Sequence, residues 1–171
     1  MGKETYIVAT IRPWNIKMFH AVIKKYPGQW HLVDNPAGLT VDLINKLQPR
    51  YVFFPHWSAL VPQEVLDCVP CVCFHETDVP YGRGGSPVQN LIVRGHEKTK
   101  ITALKMEAGL DTGPVYMKRP LSLLGTAEEI FVRASRIVAD MILEIIQTNP
   151  VPQAQQGTPV TFARRKPQES E

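Results

Sequence analysis

The sequence predicts an α/β protein built on a mostly parallel sheet flanked by helices. Three observations carry this. Short apolar runs rich in β-branched and aromatic residues recur through the first half, as buried parallel strands do. Stretches with helical spacing alternate with them. Proline or glycine marks most of the changeovers. A β-α-β-α-β order needs right-handed crossovers, and such sheets place ligands at the carboxyl ends of their strands.

Residues 5–11 (TYIVATI) read as the first strand and end at Arg12-Pro13-Trp14-Asn15. Residues 16–26 carry apolar side chains at 16, 19, 22 and 23, a helix stopped by Pro27-Gly28. Residues 30–33 form a second strand. Leu39, Leu43, Ile44 and Leu47 mark a second helix closed by Pro49. Residues 51–54 (YVFF) are a third strand, broken at Pro55. A short helix over 62–67 has Pro at its first turn. Residues 69–75 are strand four. Ser86 and Pro87 read as N-cap and first residue of a helix over 86–94, ended by Gly95. Residues 100–106 and 113–123 are strands five and six, and Pro120 puts the last at an edge. Residues 127–147 are a long amphipathic helix, capped by Thr126, with Glu128 and Glu129 complementing its dipole. From 149 the chain is rich in Pro, Gln and Gly and reads as extended. The expected organisation is one catalytic domain over 1–148 and a tail over 149–171. The loops at 12–15, 55–60 and 76–85 should converge on one crevice.

The chain has 171 residues, 44% of them apolar, enough for one core. Nineteen basic against 16 acidic residues give +3, too mild to argue for nucleic acid. No apolar run is long enough to span a membrane. The start lacks a signal-peptide pattern, and Tyr6 stands where a myristoylated Gly2 wants Ser or Thr. Three cysteines crowded at 68, 71 and 73 do not make a disulfide framework, so the cytoplasm is the expected compartment.

The chemistry concentrates between Cys68 and Gly113. His75 ends a buried strand. Gly82, Gly84 and Gly85 follow in a loop that needs unusual backbone freedom. Asp111 sits in a second turn, Leu110-Asp111-Thr112-Gly113. A carboxylate can orient an imidazole and stabilise its protonated form. Two rival readings use the cysteines. Cys68, Cys71, Cys73 and His75 offer zinc ligands, but 71, 73 and 75 lie in a row on one strand face rather than around a point, so no metal is expected. Cys73 could be a nucleophile paired with His75; buried strand cysteines more often pack as small hydrophobes.

The stretch Cys73-Phe74-His75-Glu76-Thr77-Asp78-Val79-Pro80-Tyr81-Gly82-Arg83-Gly84, followed by Leu110-Asp111-Thr112-Gly113, resembles the folate-dependent formyltransferase family. The family pattern is Asn-x-His-Pro-Ser-Leu-Leu-Pro, an Arg-Gly turn, then an Asp-x-Gly turn. Its His falls on His75, its Asp on Asp111 and its catalytic Asn on Cys73. The resemblance implies a Rossmann-like formyltransferase fold, N10-formyltetrahydrofolate as cofactor, and attack of an acceptor amine on the formyl carbon. It implies a donor pocket formed by Trp57, Ser58, Ala59 and Leu60 with Glu107, Ala108, Gly109, Leu110 and Asp111. A cysteine S–H is a weak donor, so either Asn90, Asn15, Thr77 or water supplies the oxyanion contact that Cys73 cannot, or the site is impaired.

Acceptor-binding residues implied by position are Arg12, Trp14, Asn15, Thr77, Tyr81, Arg83, Gly84, Gly85, Ser86 and Asn90. The tRNA-acting members continue into a second domain, whereas this chain stops at Glu171. The segment Phe162-Ala163-Arg164-Arg165-Lys166-Pro167 is similar to one in nucleotide-sugar formyltransferases. The expected acceptor is therefore a nucleotide-linked amino sugar of the pseudaminic acid kind, UDP-4-amino-4,6-dideoxy in type, with no nucleic acid or membrane partner. Phe162 is expected to dock the tail as a strand, within the chain or across a homodimer. A glycinamide-ribonucleotide-type or other formyltransferase, a formyl-folate hydrolase and a catalytically impaired folate-binding protein are the competing functions.

Overall fold

Alternation along each strand sorts its side chains onto two faces, and helices cover both. The structure, a computed structural model, describes residues 3–169; Gly2 and the outermost residues of the expected domain and tail bounds lie outside them. In chain order the elements are β1 (Thr5–Ala9), α1 (Pro13–Ala21), β2 (Gln29–Val33), α2 (Val41–Leu47), β3 (Tyr51–Phe54), α3 (Gln63–Cys68), β4 (Cys71–His75) and β5 (Tyr81–Gly84). Then follow α4 (Pro87–Val93), β6 (Lys98–Lys105), β7 (Val115–Ser122), α5 (Ala127–Thr148) and β8 (Val160–Phe162).

Six strands form one sheet in the order β2-β1-β3-β4-β6-β7. The first four are parallel; β6 and β7 run antiparallel, with β7 at the edge as Pro120 indicates. The chain leaves β1 for β2 on one side and returns to β3 on the other. The gap between the ends of β1 and β3 is thus a topological switch point.

Tyr6, Val8, Phe53, Val72 and Phe74 face the larger core, where Phe19 of α1, Leu91 of α4 and Ile130, Val138, Met141, Ile142 and Ile145 of α5 meet them. Ile7, Ala9, Val52, Phe54 and Cys71 face the other way, onto Ile44 of α2 and Val65 of α3. The Thr126 hydroxyl caps α5 by accepting the Glu129 N–H at 3.2 Å.

Several boundaries differ from the sequence reading. β1 stops at Ala9, and α1 starts at Pro13, so Trp14 and Asn15 stand on the helix's first turn instead of in a loop. Arg12 is still extended (φ −92°), and the Pro13 ring pre-sets the first helical φ. The helix ends at Ala21, and a 3₁₀ turn over Ile23–Lys25 completes what reads as one helix. Ser86 does not cap α4. Its φ is +50°, and its hydroxyl instead accepts the Arg165 backbone N–H at 3.1 Å.

Residues 81–84, read as loop, form β5, which pairs in parallel with β8 of the same chain. The segment after α5 runs extended, bridges to the main sheet through Gln153 and Val115, and reaches β5 by way of Gln155. Phe162 docks as a strand residue without a second copy of the chain.

Candidate active site

The carboxyl ends of β1, β3 and β4 open into a crevice of about 670 Å³. His75, the last residue of β4, lines it and is 8% exposed. Its Nε2 lies 2.8 Å from the Gly82 carbonyl, which also accepts the Thr77 hydroxyl at 3.1 Å. The Asp111 carboxylate stands 3.6 Å from the same Nε2. Asp111 has a left-handed backbone (φ +53°), and its Oδ2 accepts the Gly84 N–H at 2.9 Å. Gln155 from the tail holds this turn from below, donating to the Asp111 and Gly113 carbonyls, each at 2.8 Å. With Nε2–H donated to Gly82, the free ring nitrogen of His75 is Nδ1, which meets no protein partner among the described residues. A proton on Nδ1 would make that nitrogen a hydrogen-bond donor, and the Asp111 carboxylate stands on the opposite, Nε2 side of the ring.

A second imidazole–carboxylate pair lines the same crevice. His56, just past β3, hydrogen-bonds through Nε2 to Oε1 of Glu76, the residue after His75. Its Nδ1 is 2.8 Å from the Asn15 side-chain amide. His56 adopts a left-handed φ of +53°, which turns its ring across the end of the sheet. Burial pulls the His56 pKa down, but the Glu76 charge and hydrogen bond outweigh it and leave the value raised despite Arg12. For Glu76 burial acts upward, and His56, with help from His75, outweighs it, so the carboxyl titrates below its ordinary value. Trp14 stacks on Phe131 with ring centroids 5.1 Å apart, and both rings pack edge-on to His56.

Residues 33–135 match the family described as Formyl transferase, more than half of the chain. The chain belongs to the formyltransferase family. A curated methionyl-tRNA formyltransferase of Rickettsia felis is 30% identical over 132 residues, 74% of this chain and 44% of the relative. The chain therefore spans less than half the length of that relative. Among solved structures, a methionyl-tRNA formyltransferase from Clostridium thermocellum superposes with a TM-score of 0.90 at 47% identity, over 97% of this chain and 74% of that one. The fold is shared more distantly by HypX from Aquifex aeolicus, solved with tetrahydrofolic acid (16% identity, TM-score 0.77, 99% of this chain, 31% of that one). It is also shared by a sugar N-formyltransferase from Shewanella (15%, TM-score 0.69, 93% and 76%). The expected cofactor is the family's, N10-formyltetrahydrofolate.

Formyltransferase residues expected in the site divide into two groups. His75, Asp111, Cys73, Trp57, Ser58, Leu110, Arg12, Trp14, Gly84, Gly85 and Ser86 line the crevice. Ala59, Leu60, Glu107, Ala108 and Gly109 do not; Leu60 is 94% exposed, and 107–109 are the approach to the Asp111 turn. Four polar side chains are committed to other contacts. Tyr81 bonds His96 at 3.0 Å, and the Arg83 guanidinium bonds Gln155 at 2.7 and 3.1 Å. Thr77 is buried on Gly82. The Asn90 amide donates to the carbonyls of Gly85, Ser86 and Ala163. Of the substitutes expected for the family's Asn, Asn90 and Thr77 are thus spent on backbone, and Asn15 is spent on His56. His56, Glu76, Phe131 and Arg164 also line the crevice; the sequence puts His56 and Glu76 in loops expected to converge there but picks out none of the four as a site residue.

Trp57 tests the fit of the folate. Its indole N–H is buried without a partner, and its ring meets Phe54 edge-on at 5.8 Å. With Met106 and Leu110 these rings give an apolar wall with one unclaimed donor beside His75. That suits a flat heteroaromatic ring with acceptor atoms. No group of three or more His, Cys, Asp or Glu is placed to hold a metal among the described residues.

The cysteines stay thiols. Burial pushes Cys71 up to about 12, and burial with the Asp111 charge pushes Cys73 higher still. A thiol so held is no nucleophile at neutral pH. Cys68 alone is exposed. Iodoacetamide should therefore modify one of the three cysteines of the native protein, Cys68, and all three after denaturation. Peptide mass mapping reads the result; rapid native labelling at Cys73 would restore the thiolate reading.

Proposed function

We propose that the protein transfers the formyl group of N10-formyltetrahydrofolate to a primary amine. His75, backed by Asp111 at 3.6 Å inside the switch-point crevice, is the observation that carries this reading. The bound folate supplies an electrophilic formyl carbon. His75 holds the oxygen of that formyl group through its Nδ1 proton as negative charge builds there. Asp111, 3.6 Å from Nε2, orients the ring. Trp57, Phe54, Met106 and Leu110 exclude water from one side of the reacting atoms and Trp14 and Phe131 from the other. The catalytic domain over 1–148 works with the tail over 149–171 as one unit, because Gln155 and β8 brace the acidic turn and β5.

For the acceptor, we propose a nucleotide-linked amino sugar. Arg12 and Arg164 both line the crevice, and neither pairs with a carboxylate among the described residues. Two free guanidiniums suit a diphosphate. The relatives named for methionyl-tRNA favour a second reading, an aminoacyl-tRNA amine. Incubation with N10-formyltetrahydrofolate and a panel of UDP- and dTDP-4-amino sugars, glycinamide ribonucleotide and methionyl-tRNA decides by mass spectrometry. A formylated nucleotide sugar is the expected product. A formylated methionyl-tRNA alone would replace the sugar reading, and formate without any formylated amine would replace transfer by hydrolysis.

No helix among the described residues is long and apolar enough to cross a membrane. We place the reaction in the cytoplasm, where folate and nucleotide sugars meet.

A further inference from the structure

Nε2 of His75 donates to the Gly82 carbonyl at 2.8 Å and lies 3.6 Å from the Asp111 carboxylate. These two partners belong to different segments, β5 and the acidic turn. The turn gets little support from its own backbone. Between Glu107 and Gly113 no backbone group bonds to another backbone group among the described residues. Asp111 is also left-handed, with φ +53°, a conformation that persists in a non-glycine residue only where its surroundings hold it. Among the described residues three hydrogen bonds hold the turn. The Gly84 N–H donates to Asp111 Oδ2, and the Gln155 amide donates to the Asp111 and Gly113 carbonyls.

Gln155 also reaches the other segment. Its Oε1 accepts the Arg83 Nε–H at 3.1 Å and an Nη2–H at 2.7 Å. Arg83 stands on β5 between Gly82 and Gly84, whose backbone groups meet His75 and Asp111. One amide therefore ties together both partners of the imidazole. Its orientation is fixed, because a guanidinium offers only donors and the two carbonyls only acceptors. The tail backbone sets its place. Gln153 exchanges two backbone hydrogen bonds with Val115, at 2.7 and 2.8 Å, and so pins the extended chain beside the turn two residues before Gln155.

We propose that Gln155 is a positioning residue for formyl transfer: it holds Asp111 against Nε2 of His75 and so sets the ring angle that aims Nδ1. The proposal rests on the formyl-transfer reading. Gln155 does not line the crevice. It should therefore act on kcat and leave the binding of folate and acceptor alone.

Gln155→Glu tests this with almost no change of shape. Arg83 keeps a carboxylate oxygen as its partner and holds that carboxyl ionised near neutral pH. The other oxygen then faces the Asp111 and Gly113 carbonyls with no proton to give. The tail should stay docked while the turn loses its grip. The kcat should fall about 10²-fold, the scale of a reacting group misplaced by about 1 Å. KM for folate and acceptor should stay within about twofold of wild type. Gln155→Met removes both ends of the clamp without adding charge and should show the same split. In an Asp111→Asn background Gln155→Glu should cost no more than about twofold, because the two residues act in one chain.

A second readout needs no turnover. The Gly84 amide, held by Asp111, should exchange with solvent about tenfold faster in Gln155→Glu. The Val160 amide, held by the Pro80 carbonyl at 2.9 Å, should keep its rate and report that β8 stays docked. Wild-type kcat in both single variants, full additivity with Asp111→Asn, or an unchanged Gly84 rate would make Gln155 a tail anchor only and overturn the proposal. Equal acceleration at Gly84 and Val160 would show that the tail itself had come away, and would overturn it too. If wild type formylates no amine, the formyl-transfer reading fails, and the exchange rates alone uphold or overturn the hold of Gln155 on Asp111.

Discussion

His75→Ala is expected to lower kcat about 10³-fold, because it removes the principal oxyanion donor of the site. The size follows from what surrounds it. Cys73 stands on the same strand face two residues earlier and offers only a weak S–H donor. The polar side chains expected to compensate, Asn15, Thr77 and Asn90, are hydrogen-bonded elsewhere. The same substitution should cost the fold little. The Gly82 carbonyl that loses His75 keeps the Thr77 hydroxyl at 3.1 Å, so a loss of about 1 kcal/mol is expected. Asp111→Asn separates charge from shape. An Asn oxygen can still accept the Gly84 N–H, so the turn stays, but the carboxylate charge 3.6 Å from His75 Nε2 is lost and kcat should drop about 10²-fold. Steady-state kinetics alongside thermal melts read both variants. Near-full turnover in either would remove the residue from the mechanism.

The parallel half of the sheet is legible in the sequence because each strand is a short run buried on both faces and bounded by breakers: TYIVA before Arg12-Pro13, YVFF before Pro55, CVCFH after Pro70. His75 and Asp111 are legible too, since each closes a conspicuous turn. β5 is not. Its sequence YGRG holds two glycines and one large apolar residue, and its partner is a three-residue strand far along the chain. The His56–Glu76 pair is hidden for a related reason. Its members lie 20 residues apart and meet only because β3 and β4 run parallel and His56 turns left-handed. No local periodicity records either condition. The four committed polar residues, Thr77, Tyr81, Arg83 and Asn90, show the converse. Their place in the loop makes them look like ligand contacts, and only the hydrogen-bond partners reveal that they fasten the loop and the tail.

Gly84→Ala should be strongly destabilising. Gly84 has φ +103°, and a Cβ there would lie 2.3 Å from the Phe162 carbonyl oxygen. That oxygen belongs to β8 backbone, in register with Gly84, and cannot withdraw without opening the β5–β8 pair. Phe162 is anchored from its other side by Tyr81 edge-on at 5.5 Å and by the Arg94 guanidinium 4.4 Å over its ring. Strain and clash together should cost about 3–5 kcal/mol in denaturant unfolding. Gly95→Ala is the control, with φ +84° but open space around its Cβ, and should cost only the left-handed penalty of about 1–2 kcal/mol. The damage should reach the chemistry, because the Gly84 N–H holds Asp111 and β8 carries the tail whose Gln155 holds the same turn. Limited proteolysis should cut the Gly84→Ala tail between 153 and 165 under conditions that leave wild type whole, and turnover should fall in step. If the variant resists cleavage and keeps its activity, the tail does not brace the acidic turn, and His75 must draw its geometry from β4 alone.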